Sequence, residues 1–222
     1  MQAVLFDFYG TLARAVSYGL TYEEVFAARG VPFDAAAWAG WSHEIYDGQE
    51  HLEHSANRDT YVAWERQRLR TVVADCGADD VDGLVDELHA ASKDFTLAAY
   101  DDVADMLGDL RAQGLVVAVC SNWDWDLDQA LDRAGLGGAA DVVVTSARAG
   151  ARKPHPRIFA ETLRRCDVPA SQALFVGDTW GPDVEGPTAI GMWAVHICRD
   201  DRPGPTPHLP PGVRRISDLR EL

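Results

Sequence analysis

The sequence predicts a doubly wound α/β fold, a parallel sheet with helices on both faces, interrupted near its N-terminus by an all-helical insertion. Three observations carry this expectation. Near-continuous apolar runs at Ala3–Tyr9, Leu115–Cys120, Val142–Thr145, Ala173–Val176 and Trp193–Cys198 suit strands covered on both faces of a parallel sheet. From position 95 onward, helical patterns alternate with these runs. Between 15 and 94 the pattern is helical and no strand is legible.

Each element follows from its residues. The first run ends at Gly10-Thr11, a natural turn. Thr21-Tyr22-Glu23-Glu24 matches a helix capping box, in which hydroxyl and carboxylate satisfy each other's backbone amides. Val62, Leu69, Val73 and Cys76 share one helical face, as do Val81, Leu84, Val85 and Leu88. Past position 95, Val103, Leu107 and Leu110 form a stripe closed by Gly114. Leu127, Ala130, Leu131 and Ala134 form a second, closed by Gly135, and Phe159, Leu163 and Cys166 a third, after Pro154 and Pro156. The proline-rich stretch 202–212 reads as a surface loop. The expected organisation is a core made of 1–14 and 95–222, with a helical cap at 15–94.

Composition bounds the function. The chain of 222 residues carries 35 Asp and Glu against 20 Lys and Arg, a formal charge of −15. Such acidity argues against a sequence-independent nucleic-acid binder and against an anionic membrane surface. The four cysteines, Cys76, Cys120, Cys166 and Cys198, are scattered and form no C-x-x-C pair. With no apolar stretch long enough for a signal-peptide core or a membrane span, the expectation is a soluble, cytoplasmic protein with reduced thiols. Oligomeric state is not legible.

In open parallel sheets ligands bind beyond the carboxyl ends of the strands. Those ends carry Asp7, Tyr9 and Thr11; Ser121 and Asn122; Arg152, Lys153 and Pro154; and Asp178, Thr179 and Asp183. A carboxylate nucleophile, small hydroxyls, a lysine and further carboxylates suit displacement at an electrophilic centre, with cations balancing the negative charge.

Asp7-Phe8-Tyr9-Gly10-Thr11, Ser121-Asn122, Lys153-Pro154 and Gly177-Asp178-Thr179 with Asp183 resemble, in order and spacing, the four motifs of the haloacid dehalogenase superfamily. That resemblance implies a Rossmann-like core bearing a mobile helical cap. It implies that Asp7 is the nucleophile forming an aspartyl intermediate, that Thr11 and Ser121 hold the transferred group, and that Lys153 balances charge. Asn122 is expected to help position substrate. Asp7, Tyr9 through its carbonyl, Asp178 and Asp183 are the implied ligands of Mg²⁺, which favours hard oxygens.

Two departures divide the implied activity. Most phosphatases of the superfamily carry Asp, a general acid and base, where this chain has Tyr9; the D-x-Y-G-T form characterises its 2-haloacid dehalogenases. Those dehalogenases, however, work without metal and use an arginine in the early cap, whereas this chain keeps Asp178 and Asp183 and has no arginine in 35–41. Their tyrosine after the lysine is matched here by Phe159. The leading expectation is therefore a Mg²⁺-dependent phosphatase acting on a small, anionic phosphorylated metabolite. The alternative is a metal-independent 2-haloacid dehalogenase, and the third reading a catalytically weak binding or scaffolding protein.

Trp123 and Trp180 are expected to form an apolar rim beside the substrate, while Trp38, Trp41 and Trp64 pack in the cap or against the core. His51 and His54, flanked by Glu50 and Glu53, read as a solvated acidic stretch rather than a metal site. Asp124, Asp126 and Asp128 read as a helix start and its wet face.

Overall fold

The structure, a computed structural model, describes residues 1–39, 46–199, 208–210 and 212–222. Its main sheet has six parallel strands: β1 (Ala3–Phe6), β4 (Val116–Ser121), β5 (Val142–Thr145), β6 (Ala173–Gly177), β7 (Trp193–Ile197) and β8 (Arg214–Ile216). The numbers β2 (Ala13–Tyr18) and β3 (Phe95–Ala99) belong to a separate antiparallel pair. The order in the main sheet is β5-β4-β1-β6-β7-β8, so β1 is central, with Phe6 opposite Val119 on one side and Val176 on the other. Connections run outward both ways from β1, which places a crevice at its carboxyl end.

The apolar runs are continuous because both faces of the sheet are covered. Val4, Phe6, Val117 and Val119 meet Leu107, Leu110 and Leu131 on one face. Leu5, Ala118, Cys120 and Phe175 meet Ile158, Phe159 and Leu163 on the other. The helices supplying these side chains are α5 (Val103–Ala112), α6 (Leu127–Arg133) and α8 (Pro156–Cys166), with the short α7 (Ser146–Ala149) and α9 (Gly186–Ala189) at the sheet's edges. All four cysteines are free thiols, and burial pushes the Cys120 thiol up to about 12.

Between β2 and β3 lie α1 (Tyr22–Ala28), α2 (Ala35–Ala39), α3 (Arg58–Asp75) and α4 (Val81–Ala91). They enclose a core of their own around Val25, Phe26, Leu69, Val73, Leu84, Val85 and Leu88. The capping box of α1 forms as expected, Glu24 N donating to Thr21 Oγ1 at 3.2 Å and Thr21 N to Glu24 at 2.8 Å. Trp38 packs on Tyr22, Phe26 and Phe33 inside this core; Trp41 lies outside the described residues. No helix among the described residues is long and apolar enough to cross a membrane.

The structure corrects the strand pattern in three places. The insertion is not wholly helical at its start, because β2 runs to Tyr18 and pairs with β3. Its sequence is mostly exposed and interrupted by a bulge between Ala15 and Ser17, so it lacks an apolar or alternating signature. The first strand stops at Phe6, because the Phe8 carbonyl turns back to accept Leu12 N at 2.8 Å and Ala13 N at 3.0 Å, with Gly10 at φ 89°. Finally, β8 is a three-residue edge strand with two arginines, too short and polar to register as one. Most of the proline-rich 202–212 stretch lies outside the described residues.

The helical block meets the core along residues 46–51. His51 N donates to Gly150 O at 2.8 Å, Arg152 N to Gln49 O at 3.1 Å, and Glu50 bridges Ala151. This contact overturns the solvated reading of His51, which is only 2% exposed. Its ring stacks on Trp64 at 5.2 Å, Nδ1 pairs with Ser55 Oγ at 3.1 Å, and Nε2 is buried without a partner among the described residues. Burial, aided by the Arg152 charge, lowers its pKa from 6.5 to about 4. Below pH 6.5 the unfolded chain therefore gains a proton that the folded chain refuses, and stability falls as pH drops toward 4. We expect His51→Gln to lose about 2 kcal/mol less than the parent between pH 7 and pH 4.5, measured by urea denaturation. Equal losses would show that His51 does not titrate across folding.

Candidate active site

Asp7 follows the end of β1 and extends its ladder by one bond, Asp7 N to Val176 O at 2.9 Å. The central strand thus delivers this carboxylate to the crevice, and the flanking strands supply its neighbours. At the end of β4, Ser121 Oγ donates to Asp7 Oδ1 at 2.8 Å. Lys153 lies between β5 and α8, 1% exposed; its Nζ donates to Asp7 Oδ1 and to Asp183 Oδ1, both at 2.6 Å. Asp183 sits in a π turn, Gly181–Glu185, after β6, and its second oxygen accepts Thr179 N at 2.9 Å. A side chain at Gly177 would collide with Asp183, so a residue without Cβ is required for this approach.

Burial alone would strip the Lys153 proton, but Asp183 and Asp7 outweigh it and hold the ammonium well above its ordinary pKa. Burial raises the Asp183 carboxyl, as do the nearby charges of Asp7 and Asp178, against the opposing pull of Lys153. Carboxylate oxygens of Asp7, Asp178 and Asp183 all lie within 4.8 Å of one another. Three carboxylates face one ammonium, and every donor is a hard oxygen. That excess of negative charge fits a divalent cation such as Mg²⁺. Among the described residues this is the one group of three or more such side chains close enough to share an ion.

The remaining expected residues separate by role. Thr11 belongs to the turn after Asp7, and its Oγ1 is buried without a protein partner among the described residues. Asn122 holds the Lys153 backbone from both sides: its Oδ1 accepts Lys153 N at 2.7 Å and its Nδ2 donates to Lys153 O at 3.1 Å. It also reaches Asp47 of the helical block at 3.2 Å. The Tyr9 hydroxyl pairs with that of Tyr18 at 2.7 Å, and its ring lies 6.2 Å from Trp123. Trp123 further packs edge-on against Phe8 and Phe95. Trp180 turns the other way, donating to Glu185 at 2.9 Å and edging onto His196 of β7. The two tryptophans make no shared rim of ring contacts.

Other residues that shape the site had no sequence signal. Asp47 accepts from Arg152 Nε at 3.0 Å, clasping the block to the lysine loop. Arg199, 5% exposed, donates to Asp102 Oδ2 and to the Thr11 carbonyl, both at 2.6 Å, with its guanidinium 4.1 Å from the Tyr100 ring centre. His196 Nε2 lies 3.0 Å from the Asp178 carbonyl and therefore donates to it. Each partner sits far along the chain, and only pairing identifies it.

A parallel α/β sheet that brings an aspartate, a serine, a buried lysine and an acidic pair to its switch point has the groups of a hydrolase that works through a carboxylate. A family model for haloacid dehalogenase-like hydrolases matches residues 1–191, and the chain belongs to that family. It is 32% identical over 184 residues to haloacid dehalogenase-like hydrolase domain-containing protein 3 of Homo sapiens, covering 78% of this chain and 72% of that protein. It is 30% identical over 203 residues to a glyceraldehyde 3-phosphate phosphatase of Methanopyrus kandleri, covering 90% of this chain and 84% of the relative. The crystal structure of a 2-haloacid dehalogenase from Pseudomonas syringae superposes with a TM-score of 0.69 at 24% identity, over 100% of this chain and 96% of that one, a likeness of fold.

Removing Lys153 strands two buried carboxylates. Lys153→Met is expected to destabilise the fold by about 3–5 kcal/mol, read by chemical denaturation at pH 7. Adding Asp183→Asn should recover part of that loss; no recovery would mean the two groups are not energetically coupled.

Proposed function

We propose that this hydrolase is a Mg²⁺-dependent phosphatase that acts on a small phosphorylated metabolite through an aspartyl phosphate at Asp7. The observation that carries the reading is the cluster of Asp7, Asp178 and Asp183 around one ammonium, an arrangement that lacks positive charge. A phosphatase relative of similar length supports it.

The residues suggest how the reaction proceeds. Ser121 and Lys153 both engage Asp7 Oδ1, while Oδ2 has no hydrogen-bond partner among the described residues. Oδ2 is thus the atom that attacks phosphorus, and the bond from phosphorus to the alcohol oxygen breaks. Lys153 neutralises charge on the transferring oxygens, and the orphaned Thr11 hydroxyl offers them a donor. Mg²⁺, held by Asp7, Asp178 and the Tyr9 carbonyl, would supply Lewis-acid polarisation of the phosphoryl group. Asp183 accepts from Lys153 and Thr179 through its two oxygens and so also holds the lysine, while staying within reach of the same cation. Tyr9 offers no carboxylic acid, and the departing alkoxide takes its proton from water. The hydroxide left by that transfer takes a proton from a second water as this water attacks the phosphoryl group, which releases phosphate and restores Asp7.

Tyr9 favours a second reading, carbon–halogen hydrolysis, since a halide leaves without a proton. The same Asp7 Oδ2 would then attack carbon and the ester would be hydrolysed.

One assay separates the two. Phosphate release from p-nitrophenyl phosphate is expected with Mg²⁺, lost on chelation, and lowered more than roughly 10³-fold by Asp7→Asn. Chloride release from 2-chloropropionate that survives chelation, with no phosphate release, would replace the phosphatase by the dehalogenase.

A further inference from the structure

A cavity of about 250 Å³ lies between the helical block and the carboxyl edge of the sheet. Asp7 does not line it, yet the wall adjoins the catalytic centre twice. Asn122 follows Ser121, and Arg152 precedes Lys153. Five rings form much of the wall: Tyr22 and Tyr61 from the block, Phe95, Trp123 and Trp125 from the core side.

Most of the charges on that wall are already matched. Glu65 pairs with Arg68 at 2.9 Å, Asp124 with Lys93 at 3.4 Å, and Asp126 with Arg58 at 2.6 Å. Arg152 is held by Asp47 at 3.0 Å. Arg133 has no ion pair among the described residues, and its guanidinium lies over the Phe95 ring at 5.8 Å. Burial lowers the His89 pKa and raises those of the Tyr22 and Tyr61 phenols, in each case favouring the neutral form. An ammonium on the substrate therefore meets acids that already have partners, a carboxylate meets one unmatched cation, Arg133, which is turned over the Phe95 ring, and a planar uncharged ring meets faces and edges of its own kind. A dry cavity of roughly 150 Å³ accommodates benzene, so this one has room for a ring and a short tether.

We propose that the substrate is a phosphomonoester whose alcohol carries a planar, uncharged ring, seated in this cavity with its phosphate at Asp7; the proposal rests on the phosphatase reading above. It differs from the short aliphatic ester in the name of the Methanopyrus relative.

The test compares 2-phenylethyl phosphate with ethyl phosphate, whose alcohols differ little in acidity, so that leaving-group chemistry does not mask binding. The purified chain with Mg²⁺ should show kcat/KM at least roughly tenfold higher for the ring-bearing ester, the size expected of one or two ring contacts. Trp125→Leu should shrink that ratio to within about twofold. A measurement without any variant runs beside it: 2-phenylethylphosphonate should quench tryptophan fluorescence at roughly tenfold lower concentration than ethylphosphonate. Equal kcat/KM for the two esters, or equal binding of the two phosphonates, overturns the ring preference and leaves the phosphatase intact. If neither ester is hydrolysed, the phosphatase reading fails by itself, and the phosphonates alone decide whether the cavity selects a ring.

Discussion

The ammonium of Lys153, buried between Asp7 and Asp183, is the constraint on which the rest of the site depends. Three groups that would each pay heavily to leave water alone are tolerable together, because each completes the others' hydrogen bonds. The geometry this demands explains features spread across the chain. Gly177 has no side chain where Asp183 approaches, Asn122 grips the lysine backbone on both sides, and Thr179 caps the remaining Asp183 oxygen. The interaction also fixes which oxygen of Asp7 is held by protein donors.

A second set of contacts joins this centre to the helical block. Asp47 reaches Arg152 and Asn122, and residues 48–51 bond to the backbone of 150–153. The other crossing is anchored by Arg199, which binds Asp102 beside β3 and the carbonyl of Thr11 beside β2. The block is therefore attached to the very loops that carry the nucleophile and the lysine. A shift of the block would be felt at both.

Much of the sheet was readable because a strand buried on both faces needs an unbroken apolar run, and β1, β4, β5, β6 and β7 each have one. β2 and β8 were not readable, since their pairing satisfies backbone groups while most of their side chains face water. The site was legible as a set of positions, because chemistry in such sheets gathers at strand ends. His51 shows the limit. Its acidic neighbours suggest a wet surface, and only the docking of 46–51 against the core buries it.

The sequence by itself determined the fold class and which residue types gather at the strand ends, because burial periodicity and residue chemistry are local properties. Tertiary structure decided what those groups do to one another. Asn122 holds the lysine backbone, Trp180 turns toward β7, and Asp183 gives both its oxygens to protein donors. The same holds for the ring-lined cavity: the acids on its wall are met by Arg58, Arg68 and Lys93, and of these only Arg68 is a near neighbour of its partner along the chain. Hydrogen bonds and ion pairs act over a few ångströms of space, and the partners that decide them lie as much as 188 residues apart along the chain.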